Sequence, residues 1–210
     1  MPAHAATSEN LLDEAIRLAQ NSSWESFNLN ELAGNTGCSL IDIKKVFRSK
    51  DDMAEAFFNR ADDVMLSLAS DPSFLALPIS DRLSKCIMTW FEYLKPYRPI
   101  VKEMMAYKLE PGHFHLQAHG ITRVSRTVQW FLEVSNRNYS GFTRVADEVA
   151  TTSAYLTTFA YFLFDDSENV SETRTLLKKL IRRIDKGHRF FSNRNERKIG
   201  ISKNSGNKGS

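Results

Sequence analysis

Helical spacing of apolar residues is the feature of this sequence that most restricts its fold. Apolar side chains recur every three or four residues in five stretches, which begin near Leu11, Ala54, Leu83, Ile121 and Leu176. Alternating runs of β-branched residues, which mark strands, are nearly absent, and Pro, Gly and Asn residues separate the helical stretches. The sequence therefore predicts an all-α protein of about nine helices.

Composition excludes several other classes of protein. Of the 210 residues, 42% are hydrophobic and 25% are charged, as in ordinary globular proteins. Cys38 and Cys86 lie far apart and match neither a disulfide framework nor a metal site. The longest uncharged stretch, 149–164, is shorter than the roughly 20 apolar residues of a membrane-spanning helix. No secretory signal precedes the first helix. We expect a cytoplasmic protein that does not bind a membrane.

The charge is distributed unevenly along the chain. Residues 1–65 hold 6 Lys or Arg against 11 Asp or Glu, whereas residues 174–210 hold 12 against 2. From residue 191 the chain is rich in Asn, Ser, Gly and Lys and poor in apolar residues, which predicts a basic, disordered tail over 191–210. Such a tail either neutralises phosphates of a polyanion or is simply a solvated chain end.

The segment from Leu29 to Arg48 carries the most specific pattern. Asn28 is placed to cap a first short helix, and Ser39 to cap a second one. Gly37 lies where the first helix has to end, because glycine adopts a positive φ without strain. Ala33, Gly37 and Ile43 follow the spacing of a helix-turn-helix, although any tight pair of helices needs similar residues. We favour DNA binding over a purely structural helix pair.

Residues of about 8–58 resemble the N-terminal domain of the TetR family of transcriptional regulators. The resemblance rests on the pattern Leu29-x-x-Leu32-Ala33, on Gly37-Cys38-Ser39, and on the run of residues 47–53, FRSKDDM. It implies that Lys50, at the start of the fourth helix, contacts a DNA phosphate. The DNA-contacting residues that pattern and resemblance together predict are Asn28, Ser39, Leu40, Ile41, Lys44, Lys45, Arg48 and Lys50.

Three positions differ from the family pattern. Lys44 stands where the family usually has a phosphate-contacting Tyr, Ile41 where it has a small residue, and Asp42 where Thr is common. A lysine still binds phosphate as a point charge. A carboxylate next to DNA is repulsive unless it accepts from a cytosine amine or serves as a helix cap. The local cluster of Lys44, Lys45, Arg48 and Lys50 keeps DNA binding as the favoured interpretation.

The resemblance also implies how the rest of the chain is organised. Residues 1–58 form the helix-turn-helix domain and residues 59–190 a helical domain for effector binding and dimerisation. The last two helices, over about 143–164 and 171–186, would form the homodimer interface. A row of Ala146, Ala150 and Ala154 would allow the helices to approach closely. Two recognition helices about 34–36 Å apart would then bind a palindromic operator in double-stranded DNA.

The effector is expected to be a small apolar molecule. The residues about 90–164 resemble the helical domain of COQ9-type lipid- and quinone-binding proteins, in the stretches Phe91 to Arg98, Arg123 to Trp130 and Phe164 to Asp166. The candidate pocket residues are aromatic, and each of them is alternatively a core residue: Trp90, Phe91, Phe114, Trp130 and Phe131. The alternative function is therefore lipid or quinone binding by a protein that does not use its helix-turn-helix on DNA.

Enzymatic and metal chemistry find little support. His115 and His119 are one helical turn apart, and His113 or Glu110 lies close, but the HExxH motif and nearby thiolates are absent. We expect no metal site and no cofactor. The sequence has no glycine-rich phosphate loop and no GxSxG motif, and we expect that the protein is not an enzyme.

Overall fold

The computed structural model describes the backbone of residues 7–109 and 114–205, and the side chains of 7–106, 120 and 122–190. In this part of the chain every regular element is helical, and the predicted all-α fold of about nine helices is confirmed. Three 3₁₀ turns, over 67–70, 95–97 and 168–170, link some of the α-helices. The α-helices are α1 (Ser8–Asn21), α2 (Leu29–Thr36), α3 (Leu40–Val46), α4 (Lys50–Leu66), α5 (Pro72–Leu75, a single turn), α6 (Ile79–Leu94), α7 (Arg98–Leu109), α8 (Phe114–Val134), α9 (Gly141–Phe162) and α10 (Ser171–Ser205).

Side-chain caps set where the first four helices begin. Thr7, Asn28, Ser39 and Ser49 each accept a hydrogen bond from a backbone N–H two or three residues further along. These bonds satisfy amides that have no partner inside the helix. Gly37 ends α2 with φ of 68°, the left-handed conformation that glycine adopts most readily. The caps expected at Asn28 and Ser39 and the turn at Gly37 are thus confirmed.

The first three helices enclose a small core. Leu32 on α2 and Ile43 on α3 are completely buried between the two helices. The buried rings of Trp24, Phe27 and Phe47 complete this core. Burial of side chains from both helices fixes the angle of the helix-turn-helix. This core is continuous with that of the rest of the chain through α4, which packs against α1 on one side and α6 on the other.

The remaining helices pack around an aromatic core. Trp90 and Phe91 on α6 contact the ring of Tyr155 on α9, and Phe91 stacks on Phe162 with ring centroids 5.0 Å apart. Phe131 on α8 meets Trp90 edge-on. Such ring pairs stabilise the packing beyond the area they bury. α6 therefore lies at the centre of the domain, between α4, α8, α9 and α10.

The last helix continues further than composition suggests. α10 runs to Ser205, whereas the sequence predicts a disordered tail from residue 191. A helix that is already nucleated gains one hydrogen bond for each residue added, so it can extend into a polar sequence that would not start a helix. The amino-acid composition of a segment does not show whether a preceding helix extends into it. In the described residues, no helix is both long and apolar enough to cross a membrane.

Candidate nucleic-acid interface and ligand cavity

α3 presents an unusual outer face. Leu40 and Ile41 are large apolar residues, yet Ile41 is 70% exposed. Lys44 and Lys45, one turn later, are also exposed. Because Ile43 anchors the opposite side of α3 in the core, these four side chains point outward together. Apolar groups beside two cations are suited to a DNA groove, where thymine methyls and phosphates lie close to each other.

Asp42 is held within its own helix. The Ser39 hydroxyl donates to its carboxylate at 2.6 Å, and the Lys45 ammonium lies 2.8 Å from its other oxygen. Both contacts lower the pKa of Asp42, and the hydrogen bond from Lys45 has the larger effect. The carboxylate therefore belongs to the capping arrangement of α3, and Lys45 partly neutralises it. This accounts for an acidic residue at a position where repulsion of DNA would otherwise be expected.

The other two predicted cations near α3 have different surroundings. Arg48 is exposed and pairs with Asp52 at 3.0 Å, so part of its charge is neutralised within the protein. Lys44 pairs with no acidic side chain among the described residues. Asn28 is exposed, but its side-chain oxygen accepts from the backbone N–H groups of Asn30 and Glu31, both at 3.0 Å. Lys44 is thus the cation best available to a phosphate.

Lys50 occupies a place that the sequence did not predict. Its ammonium donates to the backbone carbonyls of Trp24, Glu25 and Phe27, at 2.6, 3.1 and 2.9 Å. It also lies 4.3 Å from the centre of the Phe27 ring. All three N–H bonds are used, and burial lowers the pKa of Lys50. Lys50 therefore holds the turn between α1 and α2, and the phosphate contact expected of this side chain stays a prediction.

A second residue holds the same turn from another helix. The backbone N–H of Trp24 donates to the Glu103 carboxylate at 2.5 Å. Glu103 lies on α7 and Lys50 at the start of α4, so two helices that follow the helix-turn-helix hold the turn that leads into α2. A change in the separation of α4 and α7 would therefore reach the helix-turn-helix directly.

A cavity of about 910 Å³ opens between α4, α6, α7, α8 and α9. Its size falls within the range of small-molecule sites, about 300–1,000 Å³. The apolar residues that line it are Phe58, Trp90, Met105, Val124, Val145, Val149, Tyr155, Leu156, Phe159, Ala160 and Leu163. Few polar side chains face it, chiefly Glu55, Arg123, Glu148 and Thr152. Such a lining favours an apolar ligand with few polar groups.

The cavity contains only part of the predicted aromatic set. Trp90 lines it, but Phe91 and Phe131 are completely buried in the core instead. Trp130 is 43% exposed on the outer side of α8 and does not line the cavity. The side chain of Phe114 lies outside the described residues. Successive side chains of a helix point about 100° apart around its axis, so neighbours such as Trp90 and Phe91 face different surroundings.

The part of the cavity wall that comes from α9 was not predicted from the sequence. Val145, Val149 and Leu156 lie on one side of α9, whereas Tyr155 and Phe159 lie between that side and the core. The sequence signal was present, since the uncharged stretch 149–164 is apolar around more than one face.

A buried polar network connects the cavity to α4. The Arg123 guanidinium on α8 lies 2.7 Å from the Asp62 carboxylate and also bonds to Asn59. Asp62 in turn accepts from the Trp90 indole at 2.8 Å. Burial raises the pKa of Asp62, and the charge of Arg123 opposes this rise. Because Arg123 and Trp90 both line the cavity, a ligand there contacts the groups that fix α4 to α6 and α8.

One face of α9 is exposed and free of charge. Ala146, Ser153, Thr157 and Tyr161 lie on it, with Ala150 half-buried, and we call this row the α9 seam. Ala154, which the sequence places in the same row, is buried in the core. Steps of four residues drift by about 40° around a helix of 3.6 residues per turn, so the third alanine turns inward. The small residues of the seam allow a second helix to approach closely.

The side chains of the histidine cluster, His113, His115 and His119, lie outside the described residues. Among the side chains that are described, no group of three or more His, Cys, Asp or Glu is arranged to hold a metal ion.

Comparison with known proteins finds a similar solved structure. No model of a known protein family and no curated protein matches the chain. Among solved structures, the chain is similar to the TetR transcriptional regulator from Nitrosomonas europaea ATCC 19718, with 36% identical residues and a TM-score of 0.75. The match covers 85% of this chain and 97% of that one. The likeness therefore extends well beyond the helix-turn-helix.

Proposed function

This chain belongs to the TetR family of transcriptional regulators, and we propose that it is a homodimeric repressor that a small apolar effector releases from a palindromic DNA operator. The observation that carries the proposal is the outer face of α3. Leu40, Ile41, Lys44 and Lys45 are exposed on the helix that the Gly37 turn presents to solvent. Packing of the core does not depend on these exposed side chains. Apolar and cationic side chains at these positions are, however, suited to the bases and phosphates of a DNA groove.

Each half of the operator would be bound by one copy of α3. The recognition helix inserts in the major groove, where Leu40 and Ile41 contact base edges. Lys44, and in part Lys45, neutralise phosphates at the groove wall. Since Lys50 is committed to the α1–α2 turn, its role is to position the helix-turn-helix rather than to touch DNA.

The α9 seam would supply the dimer contact. A two-fold interface uses the same patch on both protomers, and a row of small uncharged residues is complementary to itself. Leu180 on α10 is half-buried and would extend the apolar part of this surface. Dimerisation would then bring the two α3 helices onto successive major grooves of one duplex.

The effector would bind in the cavity and act through α4 and α7. Phe58 on α4 and Met105 on α7 both line the cavity, and Lys50 and Glu103 on the same two helices hold the α1–α2 turn. A ligand that separates α4 from α7 would displace this turn and hence α3. The ligand needs only to bind the released conformation more tightly than the DNA-bound one.

The function can be tested by selection of genomic DNA. Purified protein is mixed with fragmented DNA from its own genome at physiological salt, and the retained fragments are sequenced. Enrichment of one palindromic sequence supports the regulator, and the neighbouring genes would suggest the effector. Salt-sensitive retention without an enriched sequence would reject it. Extraction of bound lipid from the purified protein would then test the lipid- or quinone-binding alternative.

A further inference from the structure

The outer side of α10 carries cations for which the proposed function has no role. Six exposed Lys and Arg residues form what we call the α10 basic face: Lys178, Lys179, Arg182, Arg183, Lys186 and Arg189. None of the six forms an ion pair with another described side chain. By contrast, Arg174, earlier on the same helix, pairs with Glu92 at 2.6 Å. The face is therefore an uncompensated positive surface.

The charges follow one stripe of the helix. Lys178, Arg182, Lys186 and Arg189 are three or four residues apart, so they lie one above another. At 1.5 Å per residue, the six cations occupy about 17 Å of helix axis. The one acidic residue between Lys178 and Arg189, Asp185, turns inward and bonds to Arg137 and Ser80. Nothing acidic interrupts the stripe, and its charge density is complementary to a chain of phosphates.

The face lies away from α3. Near its start, α10 contacts Glu92 at the end of α6, and this end of α6 is close to α4 and α1, because Tyr93 rests against Phe57 and Arg60 pairs with Asp13. Further along, Asp185 bonds to Ser80 at the opposite end of α6. The basic face thus extends from the middle of α10 towards the end of the domain remote from the helix-turn-helix.

The residues on and around the α10 basic face indicate which kind of polyanion it binds. A helix that binds a membrane surface inserts a continuous apolar face, but Leu177 and Ile181 are buried against the body of the protein, and Phe190 is the one exposed large apolar residue among the described side chains of α10. Single-stranded nucleic acid is held by successive bases that stack on several aromatic residues, whereas Phe190 is the only Phe, Tyr or Trp among the described side chains of α10. A rigid row of cations on an exposed helix is suited to the regular phosphate backbone of a duplex.

We infer that the α10 basic face binds double-stranded DNA without regard to sequence, at a place separate from α3, so that one protein molecule can hold two duplexes. This goes beyond the proposed function, which needs only α3. The face stays accessible in the proposed dimer, since Arg182 and Leu180 lie on opposite sides of α10.

The experiment is a bridging assay with the full chain. An operator-free duplex is fixed to beads, protein is bound, and retention of a second, labelled duplex is measured over a range of salt concentrations. The test variant is Arg182→Gln with Lys186→Gln. The matched control is Lys95→Gln with Lys102→Gln, which removes the same charge from α7 and the turn before it. Thermal unfolding of all three proteins checks that they fold alike.

We expect the test variant to lose most of the bridged duplex and the control to retain it. The slope of log affinity for operator-free DNA against log salt should also fall by about two in the test variant, since each lost phosphate contact removes about 0.9. Equal retention by test variant and control overturns the inference. So does binding of the face to anionic phosphatidylglycerol vesicles in place of DNA.

The outcomes are distinct from those for the proposed function. If the genomic selection enriches no site but the test variant still loses bridging, the proposed function fails and the α10 basic face stands. If a palindromic site is enriched and the test variant bridges as well as the control does, the regulator stands and this inference fails.

Discussion

The ammonium of Lys50 lies 2.6 Å from the backbone carbonyl of Trp24, so the first residue of α4 holds the turn that leads into the helix-turn-helix. The same ammonium also reaches Glu25 and Phe27. A lysine at the start of α4 thus ties this helix to the turn between α1 and α2. Its hydrogen bonds are made inside the protein, and we expect DNA affinity to depend on it only through the position of α2 and α3.

The Lys50→Gln substitution tests this tie. Loss of three charge-assisted hydrogen bonds should lower the free energy of unfolding by about 2 kcal/mol. Operator affinity should fall with it, but the slope of log affinity against log salt should stay unchanged, because no phosphate contact is lost. Chemical denaturation and a salt titration measure both. A smaller salt slope with unchanged stability would return Lys50 to the DNA interface.

The double substitution Lys44→Ala with Lys45→Ala should change the salt slope of operator binding and leave stability unchanged. Both side chains are exposed, so stability and helicity should stay within about 0.5 kcal/mol of the parent. Operator binding should weaken and the salt slope should fall by about two to four, because the dimer carries each lysine twice and each phosphate contact removed contributes about 0.9. Fluorescence anisotropy at several salt concentrations gives the slope. Intact binding would show that these lysines are not the contacts.

The Arg123→Gln substitution addresses the link between α8 and α4. It leaves the buried carboxylate of Asp62 without its cation, which typically destabilises a protein by about 3–5 kcal/mol. Arg126→Gln is the matched control, because Arg126 is half-exposed and lies 3.9 Å from Glu55. Removal of such a surface pair costs about 0–1 kcal/mol. Equal shifts in the unfolding midpoint would contradict a central role for the Arg123–Asp62 pair.

Filling the cavity should separate effector binding from DNA binding. Leu156→Trp adds bulk to the α9 wall, whereas Leu75→Trp makes the same change at a similarly exposed site on α5, outside the cavity. We expect only Leu156→Trp to reduce binding of the apolar dye anilinonaphthalene sulfonate, with operator affinity retained in both variants. Dye titration and anisotropy measure the two. Undiminished dye binding by Leu156→Trp would place the apolar site elsewhere.

A charge on the α9 seam should disrupt the proposed dimer. Thr157→Glu puts two like charges into the proposed interface, and desolvating them opposes association. Ser70→Glu, on the exposed turn after α4, is the control. Light scattering coupled to size exclusion should report a monomer for Thr157→Glu and a dimer for the control. A dimer in both would exclude the seam as the interface.

The sequence predicted the local features better than the assembled ones. The caps at Asn28 and Ser39 and the left-handed turn at Gly37 were predictable, because each depends on residues within one helical turn. Lys50 was not, since its partners lie more than twenty residues away and are backbone carbonyls that any sequence supplies. The cavity was predicted only at Trp90, because which face of α9 meets α8 depends on packing across the whole domain.

Half-site geometry on the selected DNA tests whether two α3 helices bind one operator. Hydroxyl-radical footprinting of the fragment recovered from the genome, with wild-type protein and the Lys44, Lys45 double variant, reports where α3 lies on the duplex. We expect two protected half-sites related by a two-fold axis, with centres one helical turn of DNA or a multiple of it apart, about 34–36 Å per turn. The protection should weaken in the variant at both. Uniform protection, or a footprint indifferent to the lysine substitutions, would contradict it.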